Sequence, residues 1–315
     1  MSKMKYKLYK LTFSTPVHFG KGRLGSAENR FLADRLFSAF CTEAAKTKGD
    51  DEIEYFCKAA KNGQLLLSDG MPFIGDTLYL PKPILSIEHS ADESSSILKK
   101  EFKKLSYIPV CRFDDYFKGD LDAAEENIKL SGLGKFCEKT SVCIREGEDA
   151  RPYRIGLFSF SSGCGLYFII GYENDEIFYR FDDMMYSLGY TGIGGKVSSG
   201  LGKFDAVLCD VPDELMKMLS ADDEGTVYIS LSVCMADENE LESITDGAEY
   251  SIVKRSGFVN SVSYSNTFRK RKELYCFAAG SSFRKKFSGD VFDLSDGGTH
   301  PVYRYAKPLF LGVKL

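Results

Sequence analysis

At 315 residues the chain is long enough for about two cores, and its 43% hydrophobic and 27% charged composition excludes a disordered or fibrous protein. No apolar run approaches the roughly 18 residues of a membrane span, and the lysine-studded start lacks a signal peptide's apolar stretch, so a cytoplasmic protein is expected. The nine cysteines contain no C-x-x-C pair and read as reduced thiols, with no metal or cofactor expected.

The net charge of −4 argues against a nucleic-acid binder until it is resolved along the chain. Residues 205–253 hold one Lys and thirteen Asp or Glu, whereas residues 254–315 hold twelve Lys or Arg and four acids. This segregation predicts a basic face for an anionic polymer and an acidic surface left for solvent or a basic protein.

Tyr9, Leu11 and Phe13 alternate with polar residues and predict a half-buried first strand. A glycine-bearing loop over 15–26, with His18, Lys21 and Arg23, leads into a helix with an apolar stripe of Ala33, Leu36, Phe37, Phe40 and Ala44. A second helix over 51–61 and strands over 65–68 and 77–80 follow, and 81–135 is the least patterned stretch, with a helix at 97–105. Arg145, Arg151 and Arg154 cluster next; they suit bidentate phosphate binding or pairing with Glu146, Glu148 and Asp149. The runs 154–160 and 166–172, joined by Ser161-Ser162-Gly163-Cys164-Gly165, read as a hairpin. Ile177, Phe178, Phe181, Met185 and Leu188 then recur at helical spacing, with Asn174 or Asp175 as N-cap and Gly189 past the end.

The loop over 189–204 that follows combines six glycines with Lys196, Lys203, Ser198 and Ser199. Gly192, Gly194, Gly195 and Gly200 let backbone N–H groups approach a ligand, the lysines add charge, and phosphate binding is predicted over a helix C-cap with an irregular turn. It is not a Walker loop, because Tyr190 and Val197 stand where a glycine and a hydroxyl are required, and Val197 also breaks the dinucleotide fingerprint. A strand over 204–209 closes the order strand, strand, helix, glycine loop, strand, which is most of a ferredoxin-like, RRM-like unit. The expected class is therefore α+β, with two ferredoxin-like modules over 1–150 and 151–315 and the glycine loop in the second.

Farther on, a helix over 212–219, a strand over 226–235, an acid-rich turn over 237–242 and a strand over 250–254 are expected. Arg255 then opens a Ser- and Gly-rich loop bearing Phe258 and Tyr264, followed by Arg269-Lys270-Arg271-Lys272. Aromatics beside a basic run suit stacking on splayed bases, though charge also protects an exposed strand edge. Residues 302–313 read as a final strand pair around Pro308.

The segment 189–204 resembles the glycine-rich signature loop of the RAMP superfamily, the RNA-binding proteins of CRISPR systems. The resemblance is closest to the fourth-subunit family of type III-A Csm complexes, through Thr15-Pro16-Val17-His18-Phe19-Gly20, Ala33-Asp34-Arg35-Leu36-Phe37-Ser38-Ala39-Phe40, Arg255-Ser256-Gly257-Phe258-Val259 and His300-Pro301-Val302-Tyr303-Arg304-Tyr305. It implies a non-catalytic subunit that binds the 5′ repeat-derived tag of the CRISPR guide RNA and docks onto the large polymerase-like subunit and a neighbouring RAMP backbone subunit. It also implies a thumb-like insertion within 81–150 and RNA contacts at His18, Arg30 and Arg35, to which the basic region adds Arg255, Arg269 and Arg271 as expected contacts. For Arg35 a solvated helix charge is the alternative. Related processing nucleases use histidine for acid–base work, so a metal-independent endoribonuclease acting through His18 is the competing expectation.

Overall fold

The computed structural model describes residues 3–86, 96–143, 149–259, 261 and 263–314. Its central strand is the first one, Lys5–Phe13, in which Leu8, Tyr9 and Leu11 are buried. On one side it pairs antiparallel with Cys164–Tyr172, from Lys5↔Tyr172 to Leu11↔Leu166. On the other it pairs antiparallel with Phe204–Cys209, from Leu8↔Cys209 to Phe13↔Phe204. Cys164–Tyr172 carries the sheet on through Leu65–Leu67 and Met71–Ile74, and the latter leads to Thr77–Pro81 and Tyr107–Pro109.

The strand Cys164–Tyr172 is buried at every position because both sheet faces are covered. Successive side chains of a strand point to opposite faces. Leu166, Phe168 and Ile170 accordingly join a core with the helices Ala33–Thr47, Asp50–Lys61 and Asp175–Thr191. Tyr167 and Ile169 join a second core with Phe113 and Tyr116, with Leu215 and Leu219 of the helix Asp213–Ser220, and with strands Val227–Ser230 and Phe310–Val313. Each large apolar side chain buried this way contributes about 1.5–3 kcal/mol, so the C-terminal third is fixed to the central sheet rather than tethered to it.

The helix Ala33–Thr47 buries the stripe expected of it, and Asn174 caps Asp175–Thr191 by accepting from Ile177 N–H at 3.0 Å. Several expectations are corrected. A boundary at 150/151 would cut the sheet, since Lys5–Phe13 lies between strands 164–172 and 204–209; the glycine loop therefore belongs with the first strand. The strand Arg151–Phe160 does not pair with Cys164–Tyr172 but forms a long hairpin with Gly134–Cys143, from Gly134↔Phe160 to Cys143↔Arg151. One arm of this hairpin, Arg151–Phe160, lies beyond the 81–150 range expected to hold a thumb-like insertion. The last two strands are not partners either: Tyr303–Ala306 pairs with Asp290–Asp293 and Phe310–Val313 with Val227–Ser230. Residues 238–245 are a helix rather than a turn, because the Asp237 side chain accepts from the Asn239 and Glu240 N–H groups and the acids suit a first turn.

Candidate RNA interface

A cleft of about 920 Å³ opens between the 18–35 segment and the ribbon formed by Ile252–Arg255 and Leu274–Phe277. Among the described residues nine basic and three acidic side chains line it. Regions far apart in sequence thus meet here: His18, Arg30 and Arg35 from the N-terminal segment, and Arg255, Phe258 and Arg271 from the basic region.

The arginines have unequal surroundings. Arg35 donates to Glu28 at 2.8 Å and to the Gly20 carbonyl at 2.9 Å, and burial followed by the neighbouring Arg255 lowers its pKa. It is thus a paired, largely buried cation rather than a solvated helix charge. Arg255 is gripped by Asp34 through Nε at 2.9 Å and Nη2 at 3.0 Å, and Arg304 donates to the same carboxylate. Asp34 is only 2% exposed, so this triad ties the first helix to the C-terminal strands and gives Arg255 a structural role. Arg30 lies over the Tyr107 ring at 5.6 Å, within the cleft wall. The Arg271 guanidinium donates to the Ser256 carbonyl at 3.2 Å, while its buried Nε has no partner among the described residues. Asp69, on the cleft floor, accepts the N–H groups of Ala33 and Val233 at 2.7 and 3.0 Å, and burial pushes its pKa up to about 6.

His18 joins three segments. Its Nδ1–H donates to the Gly156 carbonyl of the hairpin at 2.7 Å, and its own carbonyl accepts from Gly195 N–H at 2.8 Å. Much of the glycine content of the loop answers to this packing. A Cβ at Gly195 would lie 2.7 Å from the His18 ring, and one at Gly194 would lie 2.9 Å from the His18 carbonyl oxygen. One at Gly192 would lie 2.7 Å from the Leu201 carbonyl oxygen. Gly200 differs: its φ is +79° and a Cβ would meet nothing within 4 Å. Beside it Ser198 and Ser199 are exposed, as are Lys196 and Lys203. Lys196 is the only non-glycine with positive φ among the described residues, at 62°, and its Nζ stands 5.7 Å over the Tyr153 ring of the hairpin.

Arg151 and Arg154 lie on the hairpin arm, with Arg154 3.4 Å from Glu138; Arg145 lies outside the described residues. In the basic region Phe258 pairs across a bridge with Lys270, whose Nζ is 5.8 Å over its ring. Tyr264, which the sequence offers for stacking on a base, is instead buried, and its hydroxyl accepts the Asp296 N–H at 2.6 Å. The exposed partner of Phe258 is Phe268, 6.4 Å away edge-to-face and 92% exposed. The sequence signal for it is an aromatic directly before Arg269-Lys270-Arg271-Lys272. Arg269 is exposed and lies away from the cleft lining, near Gly297.

Comparison with known proteins agrees along the whole chain. The model of the CRISPR Csm4 C-terminal domain matches residues 223–313. The chain is 32% identical over 313 residues to the CRISPR system Cms protein Csm4 of Mycobacterium tuberculosis (strain CDC 1551 / Oshkosh), covering 98% of each. It is 33% identical over 319 residues to that of Streptococcus thermophilus, covering 99% of this chain and 100% of the relative. Among solved structures it is similar to a chain of the Csm3-Csm4 subcomplex in the type III-A CRISPR-Cas interference complex (TM-score 0.67, 18% identity, 97% of this chain and 98% of that one). It is also similar to a chain of the Csm1-Csm4 cassette in complex with pppApA (TM-score 0.61, 18% identity, 99% of each). Identity of about a third over essentially full length, on a shared fold, places the chain in the Csm4 family of CRISPR RAMP proteins.

Proposed function

We propose that this chain is a non-catalytic RNA-binding subunit of a type III-A Csm interference complex, gripping the single-stranded 5′ tag of the CRISPR guide RNA. It docks onto the large polymerase-like subunit and a neighbouring backbone subunit, as the Csm1-Csm4 and Csm3-Csm4 assemblies of its structural relatives suggest. The observation that carries the reading is the cleft, whose excess of basic over acidic side chains among the described residues suits a phosphate backbone. Lys196 adds support. A lysine in the left-handed region costs about 1–2 kcal/mol that a glycine would not, so its charge serves the loop better than its conformation does. Phe258 and Phe268 offer ring faces for splayed bases, and Arg154, Lys203, Ser198 and Ser199 offer further backbone contacts.

We infer that the sheet order 204–209, 5–13, 164–172, 71–74, with the helices Ala33–Thr47 and Asp175–Thr191 on one face, is a ferredoxin-like module spanning roughly residues 5–209, and that the 134–160 hairpin is its thumb. Catalysis is not part of the proposal. His18 is held by backbone groups of the hairpin strand and the glycine loop without a second titrating side chain bonded to it among the described residues, and Asp34 is neutralised by two arginines.

Co-purification from cells followed by sequencing of the bound RNA tests the reading, with guides sharing one 5′ tag as the expected yield. Incubating the purified protein with repeat RNA in EDTA tests the alternative; a 2′,3′-cyclic end lost in His18→Ala would establish a nuclease instead.

A further inference from the structure

At the cleft and just behind it the guanidinium groups of Arg35, Arg255 and Arg304 meet the carboxylates of Glu28 and Asp34, with Arg271 beside them. Arg35 takes Glu28, and Arg255 and Arg304 share Asp34. Asp69 is occupied by two backbone N–H groups. Arg271 is left without a carboxylate, its Nε buried and unpartnered, and Arg255 and Arg35 are near enough to repel it. Burial and these two cations together hold its pKa down at about 10. Its Nη2 rests against the bare backbone of Gly257, where a Cβ would stand 3.2 Å away; Gly257 has a φ of +139°. A partly buried guanidinium without an ion-pair partner is costly, and no protein anion among the described residues relieves it.

We propose that Arg271, backed by Arg255 and Arg35, is a built phosphate-binding subsite that takes one backbone phosphodiester of the bound strand in a bidentate pair, next to a base stacked on Phe258. This deepens, and rests on, the reading of the cleft as an RNA site. The planar fork of Arg matches a phosphate's two oxygens, which a lysine's point charge does not. Phe258 lines the same cleft, so the phosphate and the adjoining base would be held together.

The test uses the full chain with Arg271→Met and Arg271→Lys, a single-stranded oligoribonucleotide as ligand, and inorganic phosphate as a minimal probe. RNA-free Arg271→Met is expected to melt at or above the wild-type temperature, since it removes an unpaid charge; a guanidinium that served only the fold would lower it. RNA affinity should fall about ten- to a hundredfold in Arg271→Met. The slope of log affinity against log salt should fall by about 0.7. Arg271→Lys should keep the slope and recover only part of the affinity. Inorganic phosphate should raise the melting temperature of the wild type more than that of Arg271→Met. If wild type binds RNA and Arg271→Met binds it within twofold with an unchanged slope, the subsite is refuted while the RNA-binding function stands. If wild type binds no RNA, the functional reading falls, and the phosphate melts alone decide the subsite: equal shifts in both proteins refute it.

Discussion

Alanine at Gly200 and at Gly202 should separate the two uses of the glycine loop. Both residues have positive φ, +79° and +75°, so each alanine incurs about 1–2 kcal/mol for the left-handed backbone. There the similarity ends. A Cβ at Gly200 meets nothing within 4 Å, whereas one at Gly202 would lie 2.0 Å from the Ile193 carbonyl oxygen. That approach cannot relax cheaply. Ile193 N–H donates to the Gly202 carbonyl at 3.0 Å and Gly202 N–H donates to the Pro16 carbonyl at 3.0 Å, so moving either strand of the loop breaks a backbone bond. Overpacking adds about 1–3 kcal/mol, giving about 2–5 kcal/mol in all. At roughly 2 °C per kcal/mol for a chain of this size, Gly200→Ala should melt about 2–4 °C below wild type and Gly202→Ala about 4–10 °C below. Binding should show the reverse order for protein that remains folded, because the Gly200 methyl would stand in the open space that a ligand phosphate needs. The assay is a thermal melt paired with a single-stranded RNA titration. Gly202→Ala melting within about 1 °C of wild type would show that the loop backbone yields freely and refute the packing argument.

Asp34→Ala should cost about 3–5 kcal/mol in a urea melt by stranding Arg255 and Arg304, and adding Arg304→Met should restore part of it. Lys196→Gly should raise stability by about 1 kcal/mol while lowering the RNA salt slope by about 0.7, measured by melting and by titration across salt concentrations. The Asp69 carboxyl, raised from 3.8 to about 6 by burial, keeps a proton in the folded state that the unfolded chain gives up, so its contribution is fully present below about pH 4, lost as pH rises to about 6, and constant above. Asp69→Asn retains an oxygen for the Ala33 and Val233 N–H groups; the difference in its stability from wild type should therefore shift by about 2–3 kcal/mol in its favour between pH 4 and pH 7, read from urea melts.

Local elements were legible in the sequence where periodicity or capping is local physics. The stripe from Ala33 to Ala44 and the Asn174 cap depend on neighbours three or four residues away. Pairing was not legible. The short turn at 161–163 says that the chain reverses, but the ten-residue register of Arg151–Phe160 with Gly134–Cys143 outweighs adjacency to Cys164–Tyr172. Met71–Ile74 is not legible because Pro72, which has no N–H to give a ladder, interrupts the strand pattern, although the strand pairs on both sides. Among the site residues, sequence picked out cations without their partners. Arg255 and Asp34 are 221 residues apart, and nothing near either announces the pair. The glycines of 192–195 were read as room for a ligand, yet the room is largely taken by His18 and Phe19, residues whose proximity only the fold reveals.

The place of the first strand also governs how this chain must be made. Lys5–Phe13 leaves the ribosome early, but its partners are Cys164–Tyr172 and Phe204–Cys209. At about 5–20 residues per second the alternating strand waits on the order of 10–40 s before the second of them is synthesised. Until residue 172 is made both of its edges are open to other chains, and one stays open until residue 209. Late, long-range closure of this kind slows folding and exposes nascent chains to aggregation. Chaperone capture should therefore be strongest on nascent chains shorter than about 210 residues, and expression yield should respond to slower translation and lower temperature more than to changes on the finished surface.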